Sequence, residues 1–165
     1  MIPLKILTLI VTNPMHQAAL VLQPIEEHPQ EKSRVVPVWV GPAEAMQLGV
    51  ALEQVKTPRP LTHDLMLDAL TNLDARVDHA VINDVQGTTF FAKLFLKQAD
   101  RMIELDARPS DAIALAVREN APIYIEEQAL EKGSFPYIIR ENATESELEK
   151  FHSFLENISP EDFEG

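Results

Sequence analysis

The stretch from residue 77 to residue 111 limits the possible folds more than any other part of this chain. Three strand-forming runs, 77–85, 88–97 and 101–107, follow one another with almost no linker and lead into an apolar run at Pro109. The Gln86-Gly87 step asks for a tight hairpin, because glycine accepts a positive φ. Phe90, Ala92, Leu94 and Leu96 alternate with Phe91, Lys93, Phe95 and Lys97, so one face is the more completely apolar. The spacing predicts a three-stranded antiparallel meander that enters a helix directly.

The first half of the chain has the same order. Residues 4–11, 18–22 and 35–40 are β-branched runs, separated by turn signals at Asn13-Pro14 and across 26–33. Pro37 inside the third run argues for an edge strand or a bulge. Gly41-Pro42 opens a helix with Ala45, Leu48, Leu52 and Val55 on one face and Gly49 free to admit a close neighbour. A second helix starts after Pro60, with Thr62 as its cap and Asp64 in its first turn. Its apolar positions are Leu65, Met66, Ala69, Leu70 and Leu73. Residues 109–120 make a third helix, apolar all round from 112 to 117 and therefore expected to be deeply buried. A short strand at 123–125 and a helical turn at 127–132, stopped by Gly133, follow. The fold class is α+β: a mixed or mainly antiparallel sheet with packed helices, built as two strand-strand-strand-helix units joined by a helix. Helices do not alternate singly with strands, which excludes a doubly wound sheet.

The chain has 165 residues, 45% of them hydrophobic, and no cysteine, which excludes disulfides and thiolate metal sites. Its net charge is −12, a poor match for a nonspecific basic-groove binder of nucleic acid. The acid is uneven: from residue 141 onward eight acids face the single base Lys150. We expect a domain over 1–133 and an acidic C-terminal extension over 134–165. In the extension Thr144 and Glu147 form a capping box, and Leu148, Phe151, Phe154, Leu155 and Ile158 line one side of a helix. The apolar runs are short and broken, and the first lacks a basic flank and a cleavage site, so a cytoplasmic location without a membrane span is expected.

Familiar catalytic signatures are missing: there is no Gly-rich phosphate loop, no H-E-x-x-H and no G-x-S-x-G. Among the histidines, His79 alternates with Val77 and Val81 as a hydrogen-bonded core residue would, and Trp39 suits a core or interface position. Two polar turns stand out instead, Arg59-Pro60-Leu61-Thr62-His63-Asp64 and Arg108-Pro109-Ser110-Asp111. Each places an arginine, a hydroxyl and an aspartate where a helix begins. Arginine recognises phosphate with two prongs, and a helix start favours anions. Asp106, Asp111 and Asp64 are hard oxygen donors for a divalent cation, and His63 is a candidate general acid or base. The same residues also serve simply as helix starts and local ion pairs.

Four segments taken together resemble the successive motifs of the bifunctional nuclease domain family. They are Val-Pro-Val-Trp-Val-Gly-Pro-Ala-Glu-Ala at 36–45, Arg-Pro-Leu-Thr-His-Asp-Leu at 59–65, Asp-Ala-Arg-Pro-Ser-Asp-Ala-Ile-Ala-Leu-Ala at 106–116, and Pro-Ile-Tyr-Ile at 122–125. The resemblance covers about residues 4–132. It implies an α+β fold, a nuclease acting on DNA and RNA, and a polar set of Glu44, Arg59, Thr62, His63, Asp64, Asp106, Arg108, Ser110 and Asp111. The expected roles are His63, Asp64, Asp106 and Asp111 in catalysis, and Arg59, Arg108, Thr62 and Ser110 on phosphate. Asp106 and Asp111 are the expected ligands of a divalent metal such as Mg or Mn, with no organic cofactor. A non-catalytic regulatory or assembly module is the competing expectation. The apolar face of the extension and Trp39 further predict a homo-oligomer, most simply a dimer or trimer. Sedimentation at micromolar concentration should show it, and a monomer alone would refute it.

Overall fold

The computed structural model describes residues 1–11, 18–25 and 33–136, with Glu149, Lys150 and Ser153 in helical conformation. The turn signals at Asn13-Pro14 and 26–32, the Thr144 and Glu147 box, and Leu148, Phe151, Phe154, Leu155 and Ile158 lie outside the described residues.

The elements in chain order are β1 (Ile2–Val11), β2 (Ala18–Pro24), β3 (Arg34–Val40), α1 (Pro42–Leu52), α2 (Thr62–Asn72), β4 (Ala75–Gln86), β5 (Thr89–Gln98), β6 (Arg101–Ala107), α3 (Pro109–Glu119), β7 (Ile123–Ile125), α4 (Glu127–Gly133) and β8 (Phe135–Pro136). They form one eight-stranded sheet in the order β6-β5-β4-β7-β1-β2-β3-β8. Its pairs are antiparallel except β4 with β7. The α+β class and the mixed sheet follow the sequence reading, as does the meander β4–β5–β6 running into α3.

The three residues of β7 join the halves. Ile123 to Ile125 pair in parallel with Ala80 to Ile82 and antiparallel with Leu4 to Ile2. Two separate meanders thus become one sheet through a single short strand. Pro37 meets its expectation too: β8 pairs only with Arg34 and Val35, so from Val36 onward β3 has no outer partner among the described residues. A missing N–H costs little there.

One core cluster takes Leu20, Leu22, Val36, Val38, Leu94 and Leu96 from the strands, Ala45 and Leu48 from α1, residues 112–116 from α3, and Ala129 and Leu130 from α4. Two helical expectations need correction. Helix α1 ends at Leu52, and Val55 is half exposed beyond it. Helix α2 buries no residue completely, and it packs through Met66, Leu67 and Leu70, leaving Leu65 and Leu73 more than 60% exposed. It rides on α3 and β4, so its inward face is set by that seat and not by the full apolar set. His79 is hydrogen-bonded as expected, to Asp78 Oδ2 at 2.7 Å, but it is part-buried outside the core cluster, where it stacks on Phe95. No helix among the described residues is long and apolar enough to cross a membrane.

Helix α4 is clipped to the end of β4 by charge and by contact. A Cβ on Gly133 would lie 2.7 Å from the Phe90 ring, so only glycine allows this approach. Asp84 accepts hydrogen bonds from Gln86, Lys132 and the Val85 N–H, which together hold its carboxyl down from 3.8 to about 2. The folded value lies below the unfolded one, so this contribution is present above about pH 4 and lost as pH falls towards 2. Asp84→Asn should therefore lower the urea midpoint at pH 7 and match the parent chain near pH 2. A gap that persists at pH 2 would show that charge is not the cause.

Candidate functional site

Helices α1, α2 and α3 meet at a chain of polar contacts. Arg108, the residue before α3, donates through Nε to Asp111 Oδ2 at 2.8 Å and through Nη1 to Glu44 Oε1 at 2.7 Å. The other oxygen of Asp111 lies 2.9 Å from His63 Nε2, and His63 Nδ1 faces Gln47 Oε1 at 3.4 Å. Arg118, two turns along α3 from Asp111, donates to Asp64 Oδ1 at 2.8 Å, to the Gln47 carbonyl at 3.2 Å and to the Ala114 carbonyl at 3.0 Å. The remaining Asp64 oxygen accepts the Leu61 N–H at 2.9 Å.

Local sequence explains each placement. Pro42 and Pro109 start α1 and α3, which puts Glu44 and Asp111 in their first turns. Thr62 is the first residue of α2 and not its cap; Leu61 takes the cap position, and Asp64 supplies the reciprocal acceptor. Asp111 and Arg118 are seven residues apart, hence on one face of α3.

The electrostatics follow from these bonds. The Glu44 carboxyl is held below its usual value by its own backbone N–H and then by Arg108. Burial raises Asp111, but hydrogen bonds from Arg108 and His63 outweigh it and the net shift is downward. Asp64 follows the same pattern, with burial opposed by the Leu61 N–H and Arg118. Arg108 is raised by Asp111 and Glu44. All three carboxylates are ionised at neutral pH, and their stabilising effect is lost only as pH falls below the ordinary carboxylate range.

Of the residues singled out in the sequence, Glu44, His63, Asp64, Arg108 and Asp111 enter this network, and Ser110 lies at its edge. The other three stand apart. Asp106 is exposed on β6 and makes no hydrogen bond or ion pair among the described residues. Arg59 is exposed between α1 and α2, where its carbonyl accepts the Thr57 hydroxyl. Thr62 is exposed at the start of α2. Sequence reasoning missed Gln47 and Arg118; their spacing from Glu44 and Asp111, i+3 and i+7, was the available signal.

A divalent cation needs several free oxygen donors. Both Asp111 oxygens are already engaged, Glu44 is held by Arg108, and among the described residues no three histidine or acidic side chains are grouped as a metal site. The donor set as arranged does not fit a metal.

Beside the network lies a groove of about 360 Å³. Arg108, Ser110 and Glu44 form one wall, and the β3 end with Trp39 and the hairpin residues Thr88 and Thr89 form the others.

An α+β domain of one mixed sheet, with a charged cluster where α1, α2 and α3 converge, is the class that this fold defines. The chain belongs to the bifunctional nuclease domain family, whose profile matches residues 26–137. Proteins of two Mycobacterium tuberculosis strains, described as uncharacterized, are 38% identical over 159 residues, spanning 93% of this chain and 92% of theirs. Bifunctional nuclease 1 of Oryza sativa subsp. japonica is 26% identical over 94 residues, which is 55% of this chain and 28% of the rice protein. Family membership supports a nuclease-related role.

The two arginines of α3 should separate in experiment. The Arg118 side chain is 8% exposed and serves three partners, so Arg118→Ala should cost roughly 2–3 kcal/mol by emptying its buried place and leaving part-buried acceptors unpaired. Arg108 is 64% exposed, and Arg108→Ala should cost about 1 kcal/mol or less. Denaturant unfolding of both variants checks this, and equal losses would refute it.

Proposed function

We propose that this chain hydrolyses phosphodiester bonds of DNA and RNA at the outer end of the network, where Arg108, Asp111 and Ser110 meet the groove. The observation that carries this reading is the position of Arg108. It is the most exposed member of the cluster, it forms part of the groove wall, and two carboxylates already orient its guanidinium. A planar guanidinium held this way can exchange carboxylate partners for phosphate oxygens.

Asp111 is the proton acceptor in this reading. The water oxygen forms a bond to phosphorus, its proton passes to the Asp111 carboxylate, and the leaving oxygen keeps the electron pair of the broken P–O bond and takes a proton from solvent. His63, 11% exposed and bonded to the far oxygen of Asp111, is a positioning residue. Asp64 fastens α2 to α3 through Arg118, and Asp106, Arg59 and Thr62 have no part in this step. A non-catalytic assembly module remains the second reading, favoured by the fact that every charge in the network already has a partner.

Cleavage of labelled DNA and RNA by the purified chain, with and without chelator, tests the proposal. Asp111→Asn should lower the rate by roughly 10²-fold, the scale of losing one electrostatic or proton-transfer group. The acid limb of kcat/KM, which reports the free protein, should lie below the usual carboxylate range, because Asp111 is shifted down. Arg108→Gln removes a lowering bond and should move that limb up. No cleavage by the parent chain would leave the assembly reading.

A further inference from the structure

The groove beside Arg108 has more chemistry than a phosphate site needs. Ser110 is only 7% exposed and lines the groove with its hydroxyl-bearing side chain. Trp39 lines it as well, and its indole Nε1 is buried without a partner among the described residues. The indole donor is the unmet group at this groove, and such a group is uncommon because a buried donor left unpaired costs stability. Thr88 and Thr89 add two more hydroxyls on the opposite side, while Val38, Val40 and Pro109 supply apolar wall. A cation, several hydroxyls, an indole N–H and apolar surface together suit a nucleoside phosphate better than a bare anion.

Size and charge narrow the class. A volume of about 360 Å³ sits at the low end of small-molecule sites, roughly 300–1,000 Å³, room for one nucleotide unit. A base stacked and paired in a duplex cannot enter such a space without leaving the stack. Arg108 is the only basic residue in the lining, and a chain of net charge −12 opposes a long tract of duplex phosphates. We infer that this groove binds a single unpaired nucleotide, with its phosphate on Arg108 and its sugar and base against Ser110, Trp39 and the Thr88-Thr89 turn, so that the substrate is single-stranded nucleic acid. This rests on the phosphate-binding reading of Arg108 given above.

Trp39 is the only tryptophan of the chain and forms part of the wall, so its emission reports occupancy of the groove. Uridine 5′-monophosphate added to the intact protein should give a saturable change in that emission. Uridine alone and inorganic phosphate alone should each bind at least about 10-fold more weakly, since each lacks one half of the contacts. Ser110→Ala should weaken the monophosphate about 5-fold or more, and Arg108→Gln about 10-fold or more. In parallel, one labelled oligonucleotide is offered single-stranded and in a blunt duplex, and the single strand should be cut at least about 10-fold faster. Equal cutting of both forms, or no saturable monophosphate signal, overturns the inference while leaving the hydrolase reading intact. Saturable monophosphate binding with no cleavage of any substrate supports the groove and refutes the hydrolase. No binding and no cleavage overturn both.

Discussion

The burial of α3 is the constraint on which the rest of this structure depends. Seven of its eleven residues, Pro109 to Ala116 apart from Asp111, are buried. A helix packed this deeply must meet its few charges with partners from neighbouring elements, because an unpaired charge there is costly. Asp111 and Arg118 are the charges on its packed side, while Glu119 is exposed. Asp111 takes Arg108 and His63, and Arg118 takes Asp64 and the Gln47 carbonyl. The positions of α1 and α2 over α3 therefore follow from apolar packing and from the need to satisfy these two side chains.

The same helix also sets the sheet. Its C-terminal turn ends in a left-handed residue, Asn120, and Pro122 then directs the chain into β7. That strand enters between β4 and β1 and provides the one parallel pairing in the sheet. Parallel pairing needs a crossover, and α3 is that crossover, leaving the end of the meander and returning beside its first strand. The join between the two meanders and the charged cluster thus share one structural cause.

The exposure of its two arginines divides the cluster into an anchored end and an open end. Arg118, Asp64 and Gln47 form the inner part, where their bonds hold three helices together. Arg108, Glu44 and Asp111 form the outer part, where the same kind of ion pair faces solvent and a groove. A paired guanidinium at the surface can change partners at little cost, while one at 8% exposure cannot.

Much of the architecture was legible in the sequence because local rules decide it. Alternation in 88–97 defined β5 and its buried face, Gly87 defined the hairpin, and Pro42 and Pro109 marked two helix starts. The family motifs pointed to the turns that hold His63, Asp64, Arg108 and Asp111. Other features depended on distances between segments far apart in the chain, which no local pattern contains. Asp106 and Asp111 are five residues apart, yet one is on an exposed strand position and the other is bonded to a histidine 48 residues away. Leu65 and Leu73 have helical spacing but face solvent, because the seat of α2 on α3 admits only Met66, Leu67 and Leu70. Sequence alone determined which segments would be strands and helices, since φ preferences and burial periodicity act over a few residues. Only the tertiary structure decided which charges meet, because pairing energies depend on the burial and approach that packing creates.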